Sequence, residues 1–264
     1  MSRPLIALLT DFGLRDHYAG TMKGVVLGIC PDAALVDISH EVPAHDVVAG
    51  ALELASSYRY FPPGAVFLVV VDPGVGSERR AVAVEAGVYR FVAPDNGVLS
   101  VVLDELPAPH AVEIRERRYA RPMISRTFEG RDVFAPAAAW LARGLDLAAL
   151  GPLAGSLVRV DVPVPVAASD CLVGQVVRVD RFGNLVTNID RRGFETFVGV
   201  ETPTIRVGAH EVSRVVETYA DARAGELCAL FGSSDRLEIA MNGLGAATTI
   251  RCGRGMAVHV GRRA

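Results

Sequence analysis

The six consecutive apolar residues at Val66–Val71 constrain the fold more than any other feature of this sequence. A strand with one face in water alternates apolar and polar residues, whereas an unbroken run of apolar residues is typical of a strand covered on both faces. Such strands occur in parallel sheets that carry helices on both sides. The run therefore predicts an α/β domain built around a buried, largely parallel sheet.

Short apolar runs and helix-patterned stretches alternate in part along the chain before Leu150, as this architecture requires. Further strands are predicted at Leu5–Thr10, Ala34–Ile38, Ala81–Glu85 and Arg90–Ala93. Helices are predicted around Tyr18–Cys30, Asp46–Tyr60 and Asp132–Arg143.

The sequence pattern changes after Leu150. The prolines of Val162–Pro165 favour an extended linker. We therefore predict an N-terminal α/β domain over 1–160, a linker over 161–170 and a smaller all-β domain over 171–264. Glycine and asparagine turns separate the short strands of the second domain, which has no convincing long helix, so a small β-barrel or sandwich is expected. These strands are predicted at Leu172–Asp180, Leu185–Ile189, Thr204–Val207, Glu211–Val215, Leu227–Phe231, Leu237–Ala240 and Ala257–Val260.

Charge and cysteine usage limit the partners and the compartment. With 27 basic and 30 acidic residues, the chain offers no broad attraction for nucleic acid or an anionic membrane, and neither is an expected partner. The four cysteines never form a CxxC, which is the usage of reduced buried thiols. Residues 1–4 leave no room for a signal peptide before the first strand, and no apolar run has the roughly 18 residues of a membrane helix. These features predict a cytoplasmic protein.

Polar residues follow three of the predicted strands directly. They are Asp11 after the first strand, Asp72 after the most apolar strand, and Asp95-Asn96 after Arg90–Ala93. Turn formation alone accounts for each group, because Asp, Asn, Pro and Gly make turns. In an open α/β sheet, however, ligands bind outside the carboxyl ends of the strands. Three such groups at the same kind of strand end therefore favour a shared polar pocket.

Asp72 and Arg79 are separated by a loop rich in Pro and Gly that can fold back on itself. A guanidinium beside the carboxylate would keep it ionised, and an oriented carboxylate can hold a water molecule for in-line attack. Two alternatives stay open at this point. The pair is a structural salt bridge of the loop, or Arg80 is the partner of Asp72 instead.

Several other site classes have weaker support. Gly74–Gly76 is not followed by the Gly-Lys-Ser/Thr of a phosphate loop, and no histidines have the spacing of a helix-borne zinc site. His40 and His45 are interpreted as loop or helix-end residues. A magnesium-dependent hydrolase is a further hypothesis. Its metal ligands would come from Asp11, Asp37, Asp72 and Asp95.

Two segments of the second domain place aromatic, amide and hydroxyl groups on turns, namely Asp180–Asn188 and Phe231–Asn242. Hairpin turns alone explain their Gly and Asn content. An aromatic face beside amide groups also suits a flat heterocycle, because stacking supplies binding energy and amides supply specificity.

A series of motifs in fixed order resembles the family of S-adenosyl-L-methionine (SAM) hydrolases that release adenosine, the former domain of unknown function 62. This family is related to fluorinase and chlorinase. The resemblance covers nearly the whole chain, and its motifs are TDFGLRDHYAGTMKG from Thr10, ISHEVPAHDVVAGA from Ile38, VVDPGVGSERR from Val70, APDNGVLS from Ala93, TFEGRDVFAPAAAWLA from Thr127, DRFGNLVTNI from Asp180 and FGSSDRLEIAMN from Phe231.

The resemblance implies an N-terminal α/β domain, a C-terminal β-barrel, and a homotrimer that binds its ligand between the N-terminal domain of one subunit and the C-terminal domain of a neighbour. It implies that Asp11 binds the ribose hydroxyls and that Asp16 lines the same pocket. The remaining residues implied to bind substrate are Asn96, Gly130, Asp180, Phe182, Asn184, Ser233, Ser234, Glu238, Met241 and Asn242.

The resemblance also implies a water-activating set. Asp72 and Arg79 match the first two members of the hydrolases' Asp-Arg-His set, whereas the third is Glu129 in this chain. Halogenases carry Tyr where Asp72 stands, and the insertion that marks fluorinase is absent between Ala81 and Phe91. The implied function is hydrolysis of SAM to adenosine and L-methionine without a metal or other cofactor. Glu129 can accept a proton as His can, or it can disable the site. The alternative function is therefore a non-catalytic protein that binds adenosine or SAM.

Overall fold

The computed structural model describes residues 3–212 and 214–263. They form two compact units, an N-terminal unit that ends at Val162 and a C-terminal unit that begins at Pro163. The exact domain bounds and the linker over 161–170 stay predictions, and a short strand at Val166–Ala167 falls inside that segment. Residues 1–2 of the predicted N-terminal lead-in, and Ser213 of one predicted strand, lie outside the described residues.

The N-terminal unit contains the five strands and three helices that the sequence pattern predicts, in the predicted order, together with one further helix and one further strand. Its strands are β1 (Leu5–Thr10), β2 (Ala34–Ser39), β3 (Val66–Val70), β4 (Ala81–Ala86), β5 (Tyr89–Pro94) and β6 (His110–Glu113). Its helices are α1 (Tyr18–Ile29), α2 (Val47–Ser57), α3 (Ser100–Glu105) and α4 (Ala135–Ala142), and a π-helical turn at Gly130–Phe134 precedes α4.

These strands form one six-stranded sheet in the order β2-β1-β3-β5-β4-β6. The strands β2, β1, β3 and β5 run parallel, while β4 is antiparallel to both of its neighbours. The predicted largely parallel sheet is therefore confirmed, as a mixed sheet. Because the four parallel strands point the same way, the residues that follow them lie at one edge of the sheet.

Both faces of the sheet are covered, as the apolar run in β3 predicts. Successive side chains of a strand point to opposite faces. Val66 and Leu68 pack in one core cluster with residues of α1 and α4, whereas Phe67 and Val69 pack in a second cluster with residues of α2 and α3. Burial on both faces explains why the run carries no polar residue.

The C-terminal unit consists mainly of antiparallel strands. They are β7 (Val166–Ala167), β8 (Cys171–Val179), β9 (Leu185–Asp190), β10 (Thr202–Val207), β11 (His210–Val212), β12 (Leu227–Phe231), β13 (Arg236–Met241) and β14 (Ala257–Arg263). Two short helices accompany them, α5 (Arg191–Val198) and α6 (Ala246–Ile250).

The sheet of this unit runs in the order β11-β10-β14-β8-β9-β13-β12, with β7 paired to β8. A bridge between Val215 and Ala229 brings the segment after β11 beside β12, so the two ends of the sheet approach each other. The expected barrel-like all-β domain is thus confirmed as a nearly closed barrel. None of the helices within residues 3–212 and 214–263 is long and apolar enough to cross a membrane.

Candidate active site

Asp72, Arg79 and Glu129 form a cluster in the N-terminal unit, although 50 residues separate Arg79 from Glu129. Nε of Arg79 donates to both carboxylate oxygens of Asp72, at 2.9 and 3.1 Å, and Nη2 donates to Oδ2 at 2.5 Å. The same Nη2 donates to Oε2 of Glu129 at 2.6 Å. One guanidinium therefore holds two carboxylates side by side, and the partner of Asp72 is Arg79.

The loop between Asp72 and Arg79 is pressed against the segment that leads to Glu129. Gly76 has φ +76°, and a Cβ at this position would lie 2.5 Å from the backbone oxygen of Arg126. Nη2 of Arg126 donates back to the backbone oxygen of Gly76 at 2.8 Å. Only glycine tolerates both this conformation and this approach, so the Pro-Gly-rich sequence permits the contact that assembles the cluster.

Glu129 stands at the start of the π-helical turn, and buried Asp132 holds that turn in place. Asp132 accepts from the backbone N of Ser125 at 2.8 Å and from Nε of Arg131 at 2.7 Å. Burial alone would raise the pKa of Asp132, but the hydrogen bonds from Arg131 and Ser125 outweigh it and lower that pKa below its ordinary value. A π-helical turn often marks a functional site, because it turns a side chain out of the regular helical register.

The cluster is mostly shielded from water. The side chains of Asp72, Arg79 and Glu129 are 5%, 10% and 19% exposed, and the guanidinium lies 5.1 Å from the ring centre of Phe134. Burial disfavours the charged guanidinium, but the two carboxylates outweigh this effect and raise the pKa of Arg79. One arginine beside two acidic residues gives the cluster a formal net charge of minus one, which suits a cationic ligand.

Asp11 follows β1 at the same edge of the sheet, and its Oδ2 accepts from the backbone N of His45 at 2.8 Å. Phe12, the next residue, packs edge-on against Phe128 with ring centres 5.9 Å apart. Asp16 is exposed in the loop before α1. The contact between Phe12 and Phe128 brings the Asp11 segment beside the segment that carries Glu129.

Gly130 lies at this junction. A Cβ at Gly130 would lie 3.2 Å from Sδ of Met22, 3.4 Å from Phe128 and 3.5 Å from Phe12. The residue therefore lets the aromatic side chains approach the backbone next to Glu129. Its predicted part in substrate binding stays a prediction.

The side chains of Asn96 and Asp95 form hydrogen bonds with the backbone of neighbouring segments. Nδ2 of Asn96 donates to the backbone oxygen of Val71 at 2.8 Å, and its Oδ1 accepts from the backbone N of Val98 at 3.1 Å. Asp95 forms an ion pair with Arg80. These contacts describe a structural turn, and a substrate-binding role for Asn96 stays a prediction.

Three of the four aspartates proposed as magnesium ligands form ion pairs with basic side chains instead. Asp37 is paired with Lys23, Asp72 with Arg79 and Asp95 with Arg80. Within the part of the chain that the structure describes, no three His, Cys, Asp or Glu side chains are grouped to hold a metal ion.

A cavity of about 880 Å³ lies in the C-terminal unit, and all eight residues predicted there to bind substrate line it. They are Asp180, Phe182, Asn184, Ser233, Ser234, Glu238, Met241 and Asn242. The fold thus brings together two segments that the sequence presents as separate turns. Phe182 is 79% exposed, so one wall of the cavity presents an open aromatic face.

A hydrogen-bonded network crosses this cavity. Nδ2 of Asn184 donates to Oδ2 of Asp180 at 2.9 Å and to the hydroxyl of Tyr219 at 3.4 Å. The Tyr219 hydroxyl donates to Oε2 of Glu238 at 2.9 Å. The network fixes the orientation of each polar side chain before a ligand arrives, which lowers the entropic cost of binding.

Glu238 is buried at 6% exposure and packs directly on Gly232, where a Cβ would lie 1.9 Å from Oε1. Burial raises the pKa of Glu238, and the nearby charge of Asp180 adds to this effect, while the hydrogen bond from Tyr219 opposes it. Burial and the hydrogen bond to Glu238 also raise the pKa of Tyr219. The cavity is therefore an acidic site with a tightly held carboxyl group.

Sequence reasoning missed Tyr219, together with Glu217 and Thr218, which also line the cavity. One signal was present, because Tyr219 is the only Phe, Tyr or Trp between Phe197 and Phe231. A lone aromatic residue in a turn-rich segment has no core to fill there, so it points to contact with a ligand or a polar network.

The N-terminal unit is an α/β domain with a largely buried Asp-Arg-Glu cluster beside the end of β3, and the C-terminal unit is an antiparallel β domain with a polar cavity. This two-domain architecture is typical of enzymes that act on small molecules. The chain belongs to the SAM hydroxide adenosyltransferase family. Residues 6–151 match the N-terminal domain of that family, and residues 174–259 match its C-terminal domain. The resemblance carried by the sequence motifs is thereby confirmed.

The relatives include hydrolases and a halogenating enzyme. The chain is 38% identical over 243 residues to a protein of Salinispora tropica named (R)-S-adenosyl-L-methionine hydrolase, covering 91% of each chain. It is 31% identical to the fluorinase of Nocardia brasiliensis, covering 98% of this chain and 97% of that enzyme. The structure matches the crystal structure of an uncharacterized conserved protein from Thermotoga maritima with a TM-score of 0.92 at 38% identity, over 97% of this chain and 100% of that one.

Proposed function

We propose that this protein hydrolyses SAM to adenosine and L-methionine, by in-line attack of a water molecule on C5′ of the ribose. The observation that carries the proposal is the largely buried cluster in which one guanidinium orients two carboxylates. Family membership and the hydrolase names of relatives that are 35–38% identical support this reaction over halogenation.

The protein has only to hold a water molecule in line with the C5′–S bond and accept its proton, because the sulfonium of SAM is a good leaving group that already polarises C5′. The oxygen of water bonds to C5′ while the C5′–S bond breaks, and the electron pair of that bond neutralises the sulfur to give the thioether of methionine. The proton lost by the water passes to a carboxylate and then to solvent. The positive charge of the leaving group means that the reaction needs no Lewis acid.

We assign the proton acceptance to Glu129 and the orientation of the water to Asp72. Arg79 contacts Oε2 of Glu129, and we assign Oε1 to the water. Arg79 fixes both carboxylates and acts through them. The formal negative charge of the cluster also attracts the cationic substrate and disfavours a halide nucleophile.

Substrate binding follows from the two groups of residues on different units. We propose that Asp11 binds the ribose hydroxyls, with Asp16, Asn96 and Gly130 around the same pocket. We further propose that the protein is a homotrimer in which the cavity of one subunit's C-terminal unit receives the ligand from a neighbour's cluster. The residues assigned to the cavity side are Asp180, Phe182, Asn184, Ser233, Ser234, Glu238, Met241 and Asn242.

The reaction is tested by incubating purified protein with SAM in ¹⁸O-labelled water and following adenosine by liquid chromatography and mass spectrometry. The proposal predicts adenosine with one ¹⁸O at the 5′ hydroxyl, unchanged yield in the presence of a strong chelator, and no fluorinated nucleoside when fluoride is added. The isosteric variant Asp72→Asn should lower the rate by about 10²–10⁴-fold, which is the usual contribution of a positioned acid or base. A wild-type protein that makes no more adenosine than this variant would refute the proposal.

Glu129 sustains one alternative, a protein that binds adenosine or SAM without turnover, because Arg79 engages this carboxylate directly. Tight binding without product, together with turnover gained on Glu129→His, would establish that alternative.

The shared site has a separate test, in which an Asp72→Asn protein is mixed with an Asn184→Ala protein after partial unfolding and reassembly. A homotrimer with shared sites regains activity in the mixture, whereas sites contained in single subunits do not.

A further inference from the structure

The residue before Asp11, Thr10, belongs to a buried polar network. The proposed reaction and the cavity of the C-terminal unit assign no role to this network. Thr10 is the last residue of β1, and His40 follows β2. They are 0% and 3% exposed, so both polar side chains lie in the protein interior. Burial of polar groups at this depth costs free energy unless each is hydrogen-bonded.

The network runs from Thr10 through His40 to the surface. Oγ1 of Thr10 lies 2.8 Å from Nδ1 of His40, and Nε2 of His40 lies 3.0 Å from Oδ1 of Asp37. Oδ2 of Asp37 accepts from Nζ of Lys23 at 2.6 Å. We call these four residues the His40 network.

The groups at the two ends of the network favour one arrangement of protons. The carboxylate of Asp37 can only accept, so a hydrogen on Nε2 of His40 suits this close contact, and Nδ1 then accepts from the Thr10 hydroxyl. Oγ1 of Thr10 in turn accepts from the backbone N of Phe12 at 3.3 Å. Burial would raise the pKa of Asp37, but Lys23 and His40 lower it below its ordinary value, which keeps the acceptor ionised.

His40 contacts the chain on both sides of Asp11, through its side chain at Thr10 and through its backbone at Gly13. Its backbone oxygen accepts from the backbone N of Gly13 at 2.7 Å. The side chain of His40 therefore fixes Thr10 and its backbone fixes Gly13, and Asp11 lies between these two points. Oδ2 of Asp11 accepts from the backbone N of His45. His45 lies in the same loop as His40, between β2 and α2.

We infer that His40 and Thr10 are positioning residues that set the carboxylate of Asp11 for the ribose hydroxyls. This inference rests on the proposed function, because it assigns the purpose of Asp11 to nucleoside binding. Asp11 contacts the ribose equally before and during the reaction, so its displacement weakens binding more than it slows the chemical step.

Two matched pairs of variants test the inference. Thr10→Ser keeps the hydroxyl, whereas Thr10→Val keeps the shape and removes it. His40→Asn places an amide near the position of Nδ1 and keeps the contact to Thr10, whereas His40→Gln places it near Nε2 and keeps only the contact to Asp37. Each protein is first shown by circular dichroism to be folded at the assay temperature. The dissociation constant for adenosine is then measured by calorimetry, and KM and kcat are measured with SAM.

Thr10→Val and His40→Gln should raise the dissociation constant for adenosine and the KM for SAM about tenfold or more, with kcat changed less than about threefold. Thr10→Ser and His40→Asn should bind adenosine within about threefold of wild type. A purely structural role predicts a lower Tm with unchanged affinity in all four variants, and that result overturns the inference alone. A wild-type protein that neither binds adenosine nor hydrolyses SAM overturns the proposed function and this inference together.

Discussion

Replacing Arg79 with Met removes the one cation that two largely buried carboxylates share. Met fills much of the space of the arginine stem and carries no charge. Asp72 and Glu129 are 5% and 19% exposed and would be left uncompensated. Removing one partner of a buried ion pair costs about 3–5 kcal/mol of the free energy of unfolding. For a unit of this size, that loss lowers Tm by about 6–20 °C, at about 2–4 °C per kcal/mol.

The assay is a thermal melt at neutral pH, followed by differential scanning calorimetry. Arg59→Met is the matched control, because Arg59 is 56% exposed and pairs with Glu105 at the surface. Loss of this surface pair should change the free energy of unfolding by about 1 kcal/mol or less.

The triple variant Arg79→Met, Asp72→Asn, Glu129→Gln separates lost charge compensation from lost packing. Its neutral amides leave no buried charge, so it should regain most of the stability that Arg79→Met loses. If Arg79→Met melts no lower than Arg59→Met, or if the triple variant is as unstable as Arg79→Met, the reasoning from buried charge is wrong.

Three further predictions concern Glu238, Asp132 and Gly232. Because the pKa of Glu238 is raised above 4.5 in the folded state, its contribution to stability is fully present below about pH 4.5 and is lost as the pH rises through the raised value. Urea unfolding should therefore show Glu238→Gln to be more stable than wild type at neutral pH and equal to it in acid. The pKa of Asp132 is lowered instead, so its contribution is present above its ordinary value of 3.8 and is lost as the pH falls through the lowered value. Asp132→Asn should cost about 1.5–3 kcal/mol at neutral pH, and the difference should close in acid; a gap independent of pH would contradict the assigned cause. Gly232→Ala would place a Cβ 1.9 Å from Oε1 of Glu238, so this carboxyl must move. Calorimetry should then show adenosine binding weakened about tenfold or more, a loss of about 1.4 kcal/mol, and unchanged binding would remove Glu238 from the site.

Much of the fold could be predicted because strand burial is visible in a sequence. The run at Val66–Val71 predicts a strand covered on both faces, and the structure covers β3 with α1 and α4 on one face and α2 and α3 on the other. The short elements β6 and α3 were missed. They have four and six residues, which is too short for a periodic pattern to stand out.

The candidate site was less predictable, because its geometry depends on contacts between distant segments. Residue type and strand-end position pointed to Asp11 and Asp72 without any structure. The sequence left open whether Arg79 or Arg80 pairs with Asp72, since both are adjacent and carry the same group. The path of the loop separates them, sending Arg79 to Asp72 and Arg80 to Asp95.

Local sequence therefore specified which chemical groups this protein possesses and which strands they follow, because hydrophobic periodicity and turn residues act over a few neighbouring positions. The folded chain alone specified which of those groups meet. The approach of Gly76 to Arg126 brings Glu129 to Arg79, and the barrel brings Tyr219 to Glu238. Charge compensation and hydrogen bonding act over a few ångströms in space, and a linear sequence does not contain those distances.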